Sequence, residues 1–258
     1  MNKQKQAKKR SRESLQEEYK KIFFWPDTHV PYHSKQAVEL AFKACQSFKP
    51  DILVVGGDLF DFYCVSDHSK DPRRKDKLVD ELIGAASFRQ LLENLAPQRV
   101  FLEGNHENRL ERYLWTRAPE LFGLVSVQTL LGLKEWTFIP YRSHYKIGSL
   151  YLCHTAGPGG KYATHKAHDL YQHNVGFFHT HNLGVAYSGN ATGTTHVSAN
   201  FGWLGDIHKV DYTTNIEKLR RYLHGFGTGY LFPKGDVHIQ AHAIVNKRVI
   251  LEGQVITL

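Results

Sequence analysis

Cysteine is scarce in this chain of 258 residues, and long apolar runs are missing. The three cysteines, Cys45, Cys64 and Cys153, are odd in number and widely spaced, which argues against a disulfide framework and favours reduced thiols. No apolar stretch approaches the roughly 20 residues that a bilayer-spanning helix needs. The basic amino terminus is not followed by the apolar segment of a secretory signal. We therefore expect a cytoplasmic protein without membrane contact.

Positive charge is concentrated at one end of the chain. The formal net charge is +8, and residues 1–21 alone hold eight Lys/Arg and three Glu. Residues 1–20 are predicted to form a basic arm, either a solvated tail or an electrostatic handle for nucleic acid. Residues 21–258 have an ordinary globular composition, with a size that favours one domain but also permits two small ones.

The spacing of apolar residues predicts parallel βαβ units in the first half of the chain. Residues 22–25 and 52–55 form continuous apolar runs typical of buried strands, the second within a predicted strand at 51–55, and Ser34 is a candidate N-cap for the helix between them. Asp71 and Pro72 predict the start of a second long helix, before a third strand at 99–103. Residues 237–245 and 248–256 are predicted to pair as an antiparallel hairpin. We expect two sheets packed face to face, with helices outside.

Polar side chains with oxygen or nitrogen ligands follow the predicted strands. Ligand sites in α/β sheets gather at the carboxyl ends of strands. The candidates, in chain order, are Asp27, His29, Asp58, Asp61, Asn105, His106, His154, His179 and His181. Thiolates are absent from this set, which favours Mn²⁺, Fe or Zn²⁺. The candidates are too many for one ion. Two ions bridged by a carboxylate fit better, and such pairs can hold a hydroxide and clamp phosphoryl oxygens.

The motif series D-x-H, G-D-x-x-D, G-N-H-E, H and H-x-H, in this order and spacing, resembles the calcineurin-like metallophosphoesterase superfamily. The resemblance runs from about Phe23 to about His181 and implies a four-layer α/β/β/α sandwich of two mixed sheets. It also implies two divalent ions, with Mn²⁺ as first choice and Fe or Zn²⁺ as alternatives. One ion would be held by Asp27, His29 and His181, the second by Asn105, His154 and His179, with Asp58 bridging both.

The same resemblance implies that His106 lies beside the scissile phosphate, where it protonates the leaving oxygen or stabilises negative charge. Asp61 would orient His106 through a hydrogen bond. Arg109 and Arg112 follow on the next helix, and they either reach the substrate phosphate or face solvent. The glycine-rich stretch 157–160 is not a P-loop, because the Lys-Ser/Thr ending is missing.

The protein serine/threonine phosphatase branch has Arg-Gly after G-D-x-x-D, whereas this chain has Phe62 and Tyr63. That branch is therefore disfavoured. The leading hypothesis is a phosphodiesterase or nuclease acting on nucleic acid or nucleotides. The alternatives are a phosphomonoesterase for a small molecule or a protein, and a catalytically silent nucleic-acid-binding module on the same scaffold. The partner expected in each enzymatic case is a phosphoester substrate. Nothing in the sequence indicates an oligomeric state.

Overall fold

The computed structural model describes residues 18–210 and 216–258. The predicted basic arm lies almost entirely outside these described residues. Within the two described ranges, the search for a helix long and apolar enough to cross a bilayer finds none.

The described chain contains thirteen strands and six α-helices. In chain order they are β1 (Lys20–Trp25), α1 (Lys35–Phe48), β2 (Ile52–Val55), α2 (Leu78–Glu93), β3 (Gln98–Leu102), α3 (Asn108–Arg117), α4 (Val127–Leu130), β4 (Thr137–Ile139), β5 (Tyr145–Ile147), β6 (Leu150–Cys153), α5 (Ala163–Tyr171), β7 (Asn174–Phe177), β8 (Leu183–Gly189), β9 (Thr195–Phe201), α6 (Ile216–Leu219), β10 (Gly225–Leu231), β11 (Val237–Ala243), β12 (Arg248–Leu251) and β13 (Gln254–Thr257).

The predicted βαβ unit is confirmed. β1 pairs with β2 in parallel, with Phe24 opposite Val54, and α1 connects the two strands. The Ser34 hydroxyl accepts a hydrogen bond from the backbone N–H of Ala37 at 3.3 Å, which makes Ser34 the N-cap of α1. β3 and β4 continue the parallel sheet, and the antiparallel strands β10 and β11 extend it beyond β1. The first sheet is therefore mixed.

The second sheet is also mixed, and its inner face packs on the first. Its strand order is β5-β6-β7-β9-β8, with parallel pairing among β6, β7 and β9. Ile22 and Phe24 of the first sheet share a buried cluster with Leu152 and Phe201 of the second. α1 and α2 cover the outer face of the first sheet, and α5 covers that of the second. The predicted four-layer α/β/β/α sandwich is confirmed.

Aromatic rings join the two sheets, and glycines in β10 make room for them. The rings of Phe24 and Phe201 stack with centroids 4.4 Å apart and an interplanar angle of 10°. A Cβ atom at Gly227 would lie 2.2 Å from the Phe201 ring, and one at Gly229 would lie 3.1 Å from the Phe24 ring. These alternating glycines weaken the strand signal of β10, to which the sequence analysis assigns no element.

The predicted helix start at Asp71 and Pro72 is wrong, since α2 begins only at Leu78. The Asp71 carboxylate accepts a hydrogen bond from the backbone N–H of Arg73, two residues on, and so closes a local turn. The backbone N–H of Asp71 donates to the Tyr63 hydroxyl, which ties this turn to the loop after β2. Asp71, which could have capped a helix, therefore stabilises a turn in the connection before α2.

The predicted carboxyl-terminal hairpin is also wrong in its pairing. β11 pairs with β10 along its full length, whereas β12 pairs with β13 through a turn at Glu252 and Gly253. The predicted pairing of residues 237–245 with 248–256 is represented by an isolated bridge between Val245 and Arg248. The turn at 246–247 exists, but β11 finds its partner in the sheet because that pairing buries Val237 and Ile239 between the layers.

Replacing Phe201 by alanine should lower the free energy of unfolding by about 3–5 kcal/mol, because it removes the ring that stacks on Phe24 between the sheets. Urea denaturation followed by circular dichroism measures this change. The control is Leu170→Ala on the exposed face of α5, where Leu170 is 65% exposed and the change should stay within about 0.5 kcal/mol. Equal effects of the two substitutions would contradict the packing described.

Candidate metal centre

The predicted ligands lie on loops at one end of both sheets. Asp27, Asp58 and Asn105 follow β1, β2 and β3 of the first sheet. His29 also follows β1, His154 follows β6 of the second sheet, and His179 and His181 follow β7. Four ligands have a left-handed backbone, an unfavourable conformation for residues other than glycine, and such strain collects at functional sites. They are His29 (φ 55°), Asp58 (φ 47°), His179 (φ 64°) and His181 (φ 58°).

The first cluster brings together Asp27, His29 and His181, all of them buried. The Nε2 atom of His181 lies 3.1 Å from Asp27 Oδ2 and 3.3 Å from His29 Nε2. Burial lowers the pKa of His181 to about 4. The ring is therefore neutral at neutral pH, and the neutral ring is the form that binds a metal ion.

The second cluster contains Asp58, His154 and His179. His154 Nε2 lies 3.3 Å from Asp58 Oδ2 and 3.0 Å from the side-chain oxygen of Asn105, so the predicted amide ligand also faces this position. His154 Nδ1 lies 2.8 Å from the Gly56 carbonyl oxygen, a contact that orients the ring. Burial alone lowers the pKa of His154, but the charge of Asp58 raises it to about 10.

His106 and Asp61 lie beside the point where the clusters meet. His29, Asp58 and His106 form a third group of potential ligand atoms. Asp61 Oδ2 lies 3.2 Å from the Nδ1 atoms of both His106 and His29. Asp61 is therefore placed to orient His106, as the resemblance implies, and also to orient His29. Burial opposes ionisation of Asp61, but the two histidines hold its pKa well below the usual range.

The two predicted substrate arginines occupy different environments. Arg109 is buried, and its Nη1 atom donates to the backbone oxygen of Asp61 at 2.8 Å and to Asp61 Oδ1 at 3.0 Å. Its Nη2 atom lies 3.1 Å from His106 Nε2. Arg112 is exposed and pairs with Asp67, which is exposed as well. The structure thus places Arg109 inside the cluster of candidate residues and Arg112 on the surface.

Glu107 is a structural anchor that the sequence analysis did not single out. Its buried carboxylate accepts hydrogen bonds from the backbone N–H groups of Asp58 at 2.9 Å, Phe60 at 2.9 Å and Gly104 at 3.0 Å. It therefore joins the loops after β2 and β3. Burial and the charge of Asp58 raise the pKa of Glu107 to about 8. The motif G-N-H-E contains the relevant signal, because its last letter is this residue.

Two aromatic residues from the stretch between β9 and β10 also support the site. The ring of Trp203 stacks on His181 with centroids 4.9 Å apart, and Tyr222 meets the same ring edge-on at 4.4 Å. The Nδ1 atom of His181 has no hydrogen-bond partner among the described residues, so aromatic packing, together with the contacts of Nε2, holds this ring. No sequence motif marks these positions.

The donor set fits divalent cations. Asp27 and Asp58 are buried carboxylates, and ionised carboxylates need positive charge when they leave water. In each cluster the potential ligand atoms lie within 4.8 Å of one another, and all are oxygen or nitrogen. Despite burial, the neighbouring histidines hold the pKa of Asp58 well below its usual range. The His/Asp clusters therefore suggest a site for divalent metal ions.

Glu107→Ala should destabilise the metal-free protein by at least about 3 kcal/mol, because three buried N–H donors would lose their acceptor. The stability of Glu107→Gln should fall between that of the wild type and that of Glu107→Ala, since an amide keeps only one accepting oxygen. Urea denaturation measures stability, and elemental analysis after Mn²⁺ loading measures the ions retained. The control is Glu111→Ala on α3, which removes only a contact with the Asn108 side chain. A Glu107→Ala protein as stable as this control would contradict the anchoring role.

No curated protein matches the sequence. Solved structures with a similar fold include Vacuolar Protein Sorting 29 from Cryptosporidium parvum, 12% identical over 93% of this chain and 96% of that one, with a TM-score of 0.47. Wild-type Vps29 from Entamoeba histolytica complexed with Zn²⁺ is 13% identical over 92% of this chain and 98% of that one, with a TM-score of 0.45. The phosphoesterase YfcE from E. coli is 14% identical over 86% and 98%, with a TM-score of 0.41.

A protein family also matches most of this sequence. The description "Calcineurin-like phosphoesterase" matches residues 20–193, a range that includes every candidate ligand. The match agrees with the four layers of the fold and with the convergence of histidine and aspartate at one end of the sheets. The chain belongs to the calcineurin-like phosphoesterase family.

Proposed function

We propose that this protein is a two-metal phosphodiesterase that acts on nucleic acid or nucleotides, with Mn²⁺ as its ion. The position of Asp58 carries the proposal. Asp58 belongs to two of the three groups of potential ligand atoms, one with His29 and one with His154. A carboxylate between two sets of ligands is the arrangement needed to bridge two ions.

The proposal divides the ligands as the family resemblance implies. Asp27, His29 and His181 would hold one ion, and Asn105, His154 and His179 the other, with Asp58 shared. Divalent ions held there would supply Lewis-acid activation of a phosphoryl group and a nucleophile at neutral pH. A cavity of about 430 Å³ opens in front of the ligands, and His106 and Arg109 line it together with Asn105 and His181. A phosphoester in this cavity would contact all these groups.

His106 and Arg109 are the chain's own groups for handling the phosphoester. Because Arg109 has no acceptor atom, its Nη2 atom donates to His106 Nε2, and the proton of the ring lies on Nδ1, which faces Asp61. A substrate oxygen that enters between them can take over the hydrogen bond from Arg109. His106 then faces the leaving oxygen, and when Nε2 also carries a proton the ring is an imidazolium, which Asp61 stabilises at Nδ1 and which donates the Nε2 proton or stabilises negative charge.

The charges around the site support a diester over a monoester. A diester carries one negative charge, whereas a monoester carries up to two. The buried arginine of the site, Arg109, is already paired with Asp61, which offsets part of its charge. Phe62, which stands where the protein phosphatase branch has arginine, is buried with a left-handed backbone and brings no charge. The basic arm adds an attraction for polyanions.

Mn²⁺-loaded protein should hydrolyse bis(p-nitrophenyl) phosphate faster than p-nitrophenyl phosphate. His106→Ala should lower kcat by roughly 10²–10⁴-fold, the contribution of a positioned proton donor. Asp58→Asn should lower it at least as much, because the shared ligand loses its charge. Release of p-nitrophenolate measures both rates, and elemental analysis measures bound metal.

Matched controls are His173→Ala and Asp169→Asn, two exposed positions on the outer side of the second sheet, where kcat should not change. Cleavage of the monoester alone would refute the diester part of the proposal. Salt-sensitive binding of DNA or RNA without hydrolysis of any phosphoester, with Mn²⁺, Fe²⁺ and Zn²⁺ each supplied, would support the silent binding module instead.

Arg109 and Arg112 provide a paired test of substrate binding. Arg109→Ala should lower kcat/KM for the diester by roughly 10–100-fold, because hydrogen bonds to a charged group contribute about 1.5–3 kcal/mol. Arg112→Ala should change it by less than about 3-fold, as expected for an exposed ion pair. Steady-state kinetics at saturating Mn²⁺ measures kcat/KM for the two variants, and circular dichroism verifies that both are folded. Equal losses would show that Arg112 also reaches the substrate.

A further inference from the structure

A groove lies beside the metal centre. Its volume is about 670 Å³, within the usual range for small-molecule sites. It runs between α3, α4 and the loop after β4. Trp115, Phe122 and Tyr141 line it, together with the polar side chains of Asn108, Glu111 and Gln128. We call it the aromatic groove. The proposed mechanism uses none of these residues.

The aromatic groove adjoins the cavity in front of the ligands. Asp67 lines the groove and the next residue, His68, lines the ligand cavity. On the first turn of α3, Asn108 likewise lines the groove and Arg109 lines the ligand cavity. The ring centroid of Tyr141 lies 6.4 Å from that of His154. The groove and the ligand cavity are therefore neighbours, separated along the chain by single residues.

Flat aromatic surfaces dominate the groove. Trp115 is 53% exposed and Phe122 is 49% exposed, and their ring centroids are 5.8 Å apart. Large aromatic rings exposed as a pair are uncommon unless they bind something. At the end nearest His154, the Arg142 guanidinium lies 5.4 Å from the centroid of the Tyr141 ring. Aromatic rings and arginine planes are the surfaces on which nucleobases stack.

The charges of the groove favour an uncharged occupant. Glu103, Glu111 and Asp67 line it, along with Arg112 and Arg142. Arg112 is paired with Asp67, so the acidic groups are not outweighed by cations. A second phosphate would meet carboxylates here. A neutral base would instead donate hydrogen bonds that the side-chain oxygens of Glu111 and Gln128 can accept.

We propose that the aromatic groove binds the nucleobase attached to the phosphate under attack, with Trp115 as the stacking surface. The proposal rests on the phosphodiesterase function proposed above, and it narrows the substrate class to nucleotide diesters. Trp115 and Phe122 determine specificity in this scheme and take no part in the chemistry.

The test compares two diesters with the same leaving group: thymidine 5′-(p-nitrophenyl phosphate) and methyl p-nitrophenyl phosphate. The wild-type protein with Mn²⁺ should prefer the nucleoside diester by roughly 10-fold or more in kcat/KM, as expected for one stacked base. Trp115→Ala and, separately, Phe122→Ala should reduce this preference to below about 3-fold, without changing kcat/KM for the methyl diester. Tyr113→Ala is the control, since Tyr113 lies on the same helix outside the groove lining.

Calorimetric titration of the Mn²⁺-loaded protein with thymidine 5′-monophosphate and with methyl phosphate provides a readout independent of turnover. The nucleotide should bind roughly 10-fold more tightly, and Trp115→Ala should remove the difference. Equal rates and affinities for both compounds, or a preference that survives Trp115→Ala and Phe122→Ala, would overturn the groove assignment and leave the phosphodiesterase proposal intact. Failure to cleave either diester, with nucleotide binding still dependent on Trp115, would refute the phosphodiesterase proposal and keep the groove.

Discussion

The carboxylate of Asp58 connects the parts of this structure. Its Oδ1 atom accepts a hydrogen bond from the backbone N–H of His106 at 2.8 Å, and its Oδ2 atom lies 3.3 Å from His154 Nε2. Its backbone oxygen accepts from the N–H groups of Thr28 and His29, each at 2.9 Å. One residue thus joins loops that follow β1, β2, β3 and β6.

Close backbone approach makes this junction possible. A Cβ atom at Gly104 would lie 2.2 Å from Asp58 Oδ1, and one at Gly57 would lie 2.7 Å from both the Gly104 nitrogen and His154 Nδ1. Any larger residue at these two positions would push the loops apart. Glu107 completes the junction, because its carboxylate accepts hydrogen bonds from three backbone N–H groups of the same loops. The glycines of the motifs are therefore as necessary to the geometry as the ligands.

The site also depends on the packing of the two sheets. Asp27, Asp58 and Asn105 come from the first sheet, and His154, His179 and His181 come from the second. Neither sheet alone carries a full set for two ions. The stacked rings of Phe24 and Phe201 set the alignment of the layers that brings these loops together. An ion that binds both halves stabilises the folded state by mass action, since the unfolded chain cannot present the same ligands.

Short-range pattern predicted much of this molecule. Runs such as residues 22–25 and 52–55 marked the central parallel strands, Ser34 marked the start of α1, and the spaced motifs named residues that the fold brings together. These features depend on local periodicity and local hydrogen bonds. Long-range contacts decided the rest. β10 is a strand because Gly227 admits the ring of Phe201, β11 pairs with β10 because that buries its apolar face, and Trp203 meets His181 only across the fold. The contacts of Gly227 with Phe201 and of Trp203 with His181 join separate elements, and β11 lies between two possible partners, β10 and β12, so neither periodicity nor capping leaves a signal for these choices.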